Sequence, residues 1–261
     1  MSALEAVEQN LVEFFRHFAR SHAGGEVVEL DGVSIASSGL AFHMFNAAFF
    51  SKPVLDAAGD LEQRIDRAAG YLGSHGRRWA FWACEDKLEK GLIRKARNAF
   101  RRRNLSFAYR HPGMVSDNLL PATRPLPPLE IRRVADRQGR TEFSHINSVA
   151  FRIPFEWCLE LYGSASLWNG AFTGFLGYVN GEAVCTAATL VAAGAAGLYS
   201  VATLPEHERK RYAEAMTRHA LAWTRERSGV QRSVLQATAP GLPLYQRMGY
   251  EAVTHFVVFS A

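Results

Sequence analysis

Leu4, Val7, Leu11, Phe14, Phe15 and Phe18 recur at spacings of three and four, which predicts an amphipathic helix over residues 1–22 that caps a sheet. Short apolar runs then alternate with turn formers. Strands are predicted at 26–30, 33–36 and 41–50, interrupted by Asp31-Gly32 and Ser37-Ser38-Gly39. A helix at 60–72, a Trp- and Phe-rich strand at 78–84, a basic helix at 88–103 and a strand at 105–109 come next, and His111-Pro112-Gly113 closes the series. Pro121, Pro125, Pro127 and Pro128 deny residues 119–129 a helix or a regular ladder. The domain boundary is therefore expected there, giving units 1–127 and 128–261.

Beyond the prolines, a strand is predicted at 129–134 and helices at 142–151 and 156–162, with Pro154 between the helices. The runs 172–179 and 182–191 flank Asn180-Gly181, the pair that a type I′ hairpin turn asks for, because both central residues need positive φ. A third strand at 197–203 completes an antiparallel meander. A helix is expected from Pro205 to Ser228, with Ala213, Met216, Ala220 and Trp223 as its buried stripe and Gly229 as its stop. A strand at 232–237, a short helix at 244–248 and a strand at 253–259 finish the pattern. It is that of an α/β protein with a mixed, mostly antiparallel sheet flanked by helices.

Composition narrows the class. With 261 residues, 48% hydrophobic and 21% charged, the chain is neither disordered nor a coiled coil and has material for one large or two small cores. The longest apolar stretches, 40–50 and 187–198, fall short of the ~20 residues a spanning helix needs, so no membrane partner is expected. Residues 1–20 carry Glu5, Glu8 and Glu13 and lack the basic start and apolar block of a signal peptide, which predicts a cytoplasmic protein. Cys84, Cys158 and Cys185 lie far apart, without disulfide or metal-ligand spacing. The net charge of +5 favours an anionic ligand such as a phosphorylated cofactor.

The chemistry is concentrated in two segments. Residues 197–216, Gly-Leu-Tyr-Ser-Val-Ala-Thr-Leu-Pro-Glu-His-Glu-Arg-Lys-Arg-Tyr-Ala-Glu-Ala-Met, run from a strand through a cationic loop into a helix, whose free amides and partial positive charge suit a phosphate. About forty residues on begins the segment 235–250, which ends in Leu244-Tyr245-Gln246-Arg247-Met248-Gly249-Tyr250. Together they resemble the cofactor-binding half of the GNAT superfamily of acyl-CoA-dependent N-acyltransferases, over roughly residues 129–261. The phosphate loop departs from the family pattern: Glu208 takes the place of its first basic or Gln residue and Arg211 that of its middle glycine, while Ala213 keeps the small residue at the end.

The resemblance implies acetyl-CoA as acyl donor and an amine-bearing acceptor, a small molecule or a protein. It implies cofactor contacts from Val201, Ala202 and Thr203 on the strand, from Arg209, Lys210, Arg211, Tyr212, Ala213 and Glu214 at the loop and helix start, and from Thr238, where many relatives carry asparagine. The N–H of Val201 or Ala202 is expected to hold the thioester oxygen, and Tyr245 to protonate the leaving thiolate as the catalytic acid. Tyr199, Ser200, Glu206 and His207 lie near enough to be considered as base, and none is preferred. Trp168 and Phe155 are candidates for the acceptor side.

The first half offers a weak internal repeat, in which 78–84, the helix after it and 105–109 imitate the strand, helix and strand that run from Gly197 to Ala237. It is read as a degenerate second GNAT-like unit, with no phosphate loop after Cys84. Arg94, Lys95, Arg97, Arg101, Arg102 and Arg103 form a basic patch, read as solvated surface because no RNA-binding motif accompanies it. A nucleic-acid partner is not expected, and a monomer or homodimer is. Scattered histidines without His-Glu-x-x-His spacing, and Ser200 without the glycines of a nucleophile elbow, argue against metalloenzyme and hydrolase chemistry. The alternative to an enzyme is a GNAT-fold binding protein whose degenerate phosphate loop supports no turnover.

Overall fold

The three-four spacing of the first apolar residues yields α1 (Ala3–Arg20), opened by a capping box in which Ser2 Oγ accepts the Glu5 N–H (3.2 Å) and the Glu5 carboxylate accepts the Ser2 N–H (2.8 Å). The computed structural model describes residues 1–55 and 59–261. After α1 come β1 (Glu26–Leu30), β2 (Val33–Ser37), β3 (Asn46–Phe50), α2 (Asp60–Ser74), β4 (Ala80–Cys84), α3 (Leu92–Arg101) and β5 (Ser106–Ser116). The chain continues through β6 (Glu130–Arg133), α4 (Arg137–Phe151), α5 (Phe155–Gly163), β7 (Phe172–Val179), β8 (Glu182–Ala192), β9 (Ala195–Thr203), α6 (Tyr212–Ser228), β10 (Ser233–Gln236), α7 (Leu242–Arg247) and β11 (Glu251–Ser260).

Several bounds move from their expected places for local reasons. Residues His43–Phe45 turn as a 3-10 helix, and β3 starts at the buried Asn46, whose amide donates to Leu40 O (3.0 Å) and Arg78 O (3.1 Å). The basic helix begins at Leu92, after a 3-10 turn at Glu85–Lys87 and a left-handed Gly91 at φ 95°. β5 runs through Pro112 instead of ending before it. Asp136 accepts the Gly139 N–H (2.8 Å), and this cap starts α4 five residues earlier than the apolar pattern suggested. Pro205 opens only a 3-10 turn, and α6 waits for Tyr212.

Two compact units result, and neither is one consecutive stretch. The first joins Met1–Phe14 to Met114–Glu251, and the second joins Phe15–Gly113 to Ala252–Ala261. The chain changes unit inside α1, inside β5 and at the start of β11, whereas the sequence suggested a single boundary at 127/128 among the prolines. Proline removes ladder donors but says nothing about which distant strand a later segment joins.

In the second unit the strand order is β1-β2-β3-β4-β11-β5, with β3–β4 parallel and β1–β2, β2–β3 and β4–β11 antiparallel. Ile35, Phe50, Phe81, Phe100 and Phe259 pack with Ile65 and Leu72 of α2. In the first unit the order is β5-β10-β9-β8-β7-β6, with β9–β10 parallel and β6–β7, β7–β8 and β8–β9 antiparallel. Asn180 (φ 52°) and Gly181 (φ 82°) make the expected hairpin turn. Phe175, Leu198, Met216, Leu235 and Tyr245 fill the core between this sheet and α6 and α7.

Each unit thus contains a three-stranded antiparallel meander, a helix and a parallel strand: β1-β2-β3, α2, β4 and β7-β8-β9, α6, β10. The internal repeat exists, but in a different register from the expected one. β4 pairs parallel to β3 just as β10 pairs parallel to β9, so residues 78–84 correspond to β10 and β3 is the counterpart of β9. Among the described residues no helix is long and apolar enough to cross a membrane.

Candidate active site

The site is built where β9 leaves β10. Their parallel pairing consists of Ala196 with Ser233 and Gly197 with Val234, after which β9 continues to Thr203 without a partner on that side among the described residues. Gly197 permits a close approach that no side chain would: a Cβ there would lie 1.9 Å from Asn10 Oδ1 and 2.5 Å from the Tyr199 ring. Asn10 donates to Leu190 O (3.3 Å), Ala192 O (2.9 Å) and Ala195 O (3.1 Å) and accepts the Tyr199 hydroxyl (2.7 Å), so its amide is fully used. Tyr199 is buried, stacked on Phe14 at 3.8 Å between centroids, and burial raises its pKa well above the ordinary value. That removes it as a base.

On its other side β9 pairs with β8 and carries a bulge. Thr186 faces Ala202 and Ala188 faces Tyr199, so two residues, Ser200 and Val201, stand opposite Ala187, and Ser200 takes φ 50°. Thr186 Oγ1 donates to Ser200 O (2.7 Å), and the hydroxyls of Ser200 and Tyr162 lie 3.0 Å apart. The Thr203 hydroxyl is buried without a hydrogen-bond partner among the described residues. Val201 is half-buried against the core cluster that contains Tyr245.

After Thr203 the Leu204 N–H still bonds Val184 O (2.9 Å), and then the chain turns through Pro205–His207 into the cationic loop. Arg209 (φ 58°) and Arg211 (φ 67°) are both left-handed, and Arg211 is the N-cap residue of α6. Arginine thus occupies a backbone conformation that glycine adopts without steric cost. The guanidinium of Arg211 binds Glu214 Oε2 (2.9 Å) and Pro125 O (2.9 Å), away from the role expected of it at a phosphate. Lys210 Nζ donates to Glu206 O (2.9 Å), while Arg209 is exposed without an ion pair among the described residues.

Among the described residues no side chain caps α6 and nothing bonds the N–H groups of Tyr212, Ala213 and Glu214, which suits an anion, and Ala213 adds no bulk. Glu214 is buried, which alone would raise its pKa, but hydrogen bonds from Arg211 and Arg218 outweigh burial and lower it. Its carboxylate is therefore held charged and neutralised inside the helix's first turn. Glu208 is exposed in the loop.

Tyr245 sits on α7, buried against Tyr250 (5.7 Å between centroids), and burial pushes its phenol pKa upward. Its hydroxyl has no hydrogen-bond partner among the described residues. Thr238 caps the loop before α7: its carbonyl accepts the Gly241 N–H (3.0 Å), with its hydroxyl at 3.4 Å. A Cβ on Gly241 would meet both the Tyr245 ring (3.2 Å) and Thr238 Oγ1 (3.3 Å), which places these two side chains together. Trp168 is committed to the core beside Gly174 and Phe143 and donates to Tyr162 O (2.8 Å). Phe155 is half-buried beside His145. Asn147, Thr186 and Tyr162 were not visible as site residues in the sequence, where nothing marks a buried hydroxyl or amide on an apolar strand or helix.

Residues 187–253 match the family model described as an acetyltransferase (GNAT) domain. No curated protein matches the sequence. Among solved structures, a GCN5-related N-acetyltransferase from Kribbella flavida aligns with a TM-score of 0.73 at 17% identity, over 99% of this chain and 95% of that one. Another from Sphaerobacter thermophilus gives 0.58 at 12% identity, over 100% and 93%. A tandem GNAT protein from the clavulanic acid biosynthesis pathway gives 0.55 at 11% identity, over 98% and 94%. At these identities the likeness is one of fold, and it extends over nearly the whole chain.

Proposed function

We propose, for a chain that carries a GNAT acetyltransferase domain at residues 187–253 and the tandem GNAT fold around it, that the protein transfers the acetyl group of acetyl-CoA to a primary amine by direct attack within a ternary complex. The observation that carries this reading is the strand edge of β9 left open beyond Gly197, leading straight to the uncapped start of α6. An extended pantetheine arm would add to that edge as a strand. The diphosphate would meet the amides of Tyr212, Ala213 and Glu214, with Arg209 and Lys210 as the cationic side chains of the loop.

The N–H of Val201 or Ala202 donates to the acyl oxygen as it gains charge, an interaction worth roughly 100- to 1,000-fold in rate where one such donor is removed. The amine nitrogen bonds to the acyl carbon, the carbon–sulfur bond breaks, and the proton lost by the amine passes to solvent. Tyr245 supplies the proton that the departing sulfur takes up. Its burial keeps the phenol protonated at neutral pH, as a donor must be.

Calorimetric titration with acetyl-CoA, followed by a thiol-release assay over a panel of small and peptidyl amines, tests the proposal. Saturable binding with amine-dependent thiol release supports it, and absence of binding at millimolar acetyl-CoA overturns it. The second reading is a binding protein without turnover, favoured by Arg211 standing in place of a glycine and tied to Glu214. Binding without thiol release from any amine would select it.

A further inference from the structure

The bulge at Ser200 has no counterpart in the other copy of the meander. There β2 and β3 pair in unbroken register from Val33–Phe50 to Ser37–Asn46, and no residue of β3 has positive φ. A left-handed serine in a strand costs on the order of 1–2 kcal/mol and persists only where its surroundings hold it. One of the two residues that follow it, Val201 or Ala202, supplies the amide that the proposed reaction requires.

A buried polar chain holds it. Asn147 Nδ2, on α4, donates to Phe143 O (2.8 Å) and to Thr186 Oγ1 (3.2 Å), and the Thr186 hydroxyl in turn donates to Ser200 O (2.7 Å). The direction of the chain is fixed. A reversed Asn147 amide would set an acceptor against Phe143 O, and a Thr186 hydroxyl that receives from Asn147 keeps its proton for Ser200. Asn147 and Thr186 are both buried, so water does not compete for these bonds. From the other side, the Tyr162 hydroxyl reaches Ser200 Oγ (3.0 Å), which ties the residue's side chain as well as its carbonyl.

We propose that Thr186, oriented by Asn147, fixes the left-handed bulge at Ser200 and so sets the direction of the Val201 and Ala202 amides, making Thr186 and Asn147 positioning residues for acyl transfer. The kinetic part rests on the proposed acetyl transfer, and the conformational part stands without it. Thr186→Val keeps the shape of the side chain and removes the donor. It is expected to lower kcat for acetyl transfer by roughly 10- to 100-fold while leaving the calorimetric affinity for CoA within about threefold. Thr186→Ser, which keeps the hydroxyl, is expected to restore kcat. Thr186→Val combined with Ser200→Gly is expected to recover part of it, because glycine adopts positive φ without a tether.

The three-bond HN–Hα coupling of Ser200 in labelled protein reads its φ whether or not turnover occurs. An extended Ser200 in Thr186→Val supports the inference; a Ser200 still at positive φ, or a Thr186→Val enzyme with wild-type kcat, overturns it. If wild-type protein acetylates no amine, the proposed function falls, and the coupling alone decides the bulge. Should Thr186→Val not fold, Asn147→Leu, which leaves the Thr186 hydroxyl free to rotate, is measured in the same way with the same expected direction and a smaller loss.

Discussion

In both units an antiparallel meander passes through a helix to a parallel strand, and in both the parallel pair is held at two positions, Ala47–Ala80 and Ala48–Phe81 in one, Ala196–Ser233 and Gly197–Val234 in the other. Beyond that point they diverge. In the second unit the chains close again: the Val54 N–H bonds Lys87 O (2.7 Å), the Glu89 N–H bonds Val54 O (3.1 Å), and Lys87 Nζ reaches Ser51 O (3.1 Å). In the first unit β9 stays unpaired on that side among the described residues. The helices after the meanders differ in the same sense. α2 also begins after a left-handed residue, Gly59, but its first turn carries Asp60 and Glu62, and Asp60 binds Arg64 (2.7 Å). α6 has one acid in its first turn, Glu214, which Arg211 and Arg218 hold, and it is preceded by three consecutive cations, whereas the first turn of α2 carries two acids and no cation precedes it directly. The left-handed entry is common to both copies; the open edge and the sign of the charge at the helix start distinguish them.

The contrast is sharpest at the last residue of the third strand. Phe50, which ends β3, is buried against Phe81 at 4.5 Å between centroids, and Thr203, which ends β9, holds an unpartnered hydroxyl. Phe50→Ala should cost about 3–5 kcal/mol in chemical denaturation, as cavity-forming substitutions do. Thr203→Val should cost nothing or stabilise slightly, since no hydrogen bond is lost. A large loss from Thr203→Val would show that the open end is as closed as the other.

Tyr245→Phe comes next in size. It should lower kcat for acetyl transfer by roughly 100-fold at neutral pH, with thermal stability close to wild type because the hydroxyl has no partner among the described residues. Stopped assays across pH 6–9 would detect a smaller role by a variant running at the wild-type rate.

Arg209 and Arg211 separate the two sources of positive charge before α6. Arg209→Ala should weaken CoA binding by roughly fivefold to tenfold, through loss of an exposed but uncommitted phosphate ligand. Arg211→Gly should leave affinity within about threefold, because the guanidinium is held by Glu214 and Pro125, while glycine relieves the left-handed backbone. Titration calorimetry at two salt concentrations distinguishes them; equal losses in both variants would place Arg211 on the phosphate.

Glu214 gives the smallest effect and the one with a defined pH window. Its folded pKa lies below the ordinary value, so its contribution is fully present above about pH 4.3 and is lost as pH falls through the folded value. Thermal unfolding of Glu214→Gln should therefore lose less stability than wild type below that pH. Parallel acid profiles would argue that Arg211 and Arg218 do not hold the carboxylate.

Much of the fold was legible locally. Asn180-Gly181 announced the β7–β8 hairpin, and Leu244-Tyr245 with Gly249-Tyr250 lie in the stretch 187–253 that matches the acetyltransferase (GNAT) domain model. Arg211 was recognisable as a residue in a glycine's place, although only the fold reveals that it keeps the left-handed backbone and pairs with Glu214. The missed features are non-local. No periodicity tells β4 that its neighbour is β11, and no motif marks Thr186 or Asn147, whose proposed role comes from facing one another across α4 and β8. The repeat was misaligned because Trp79 to Cys84 and Gly197 to Thr203 are both apolar strands before a basic helix, and composition cannot say which strand runs parallel to its predecessor. Lys90-Gly91 before Leu92 was the signal that α3 begins later than its basic pattern suggested.

The seating of β11 beside β4 sets an order on biosynthesis. The Cys84 thiol in β4 and the Thr254 hydroxyl it meets in β11 are 170 residues apart, so at ribosomal speeds β4 waits on the order of ten seconds for its partner. Throughout that interval Ala80 to Cys84 would present an apolar strand with one bare edge, the kind of surface that nascent-chain chaperones cover. The half of the molecule that leaves the ribosome first is thereby the half that is finished last.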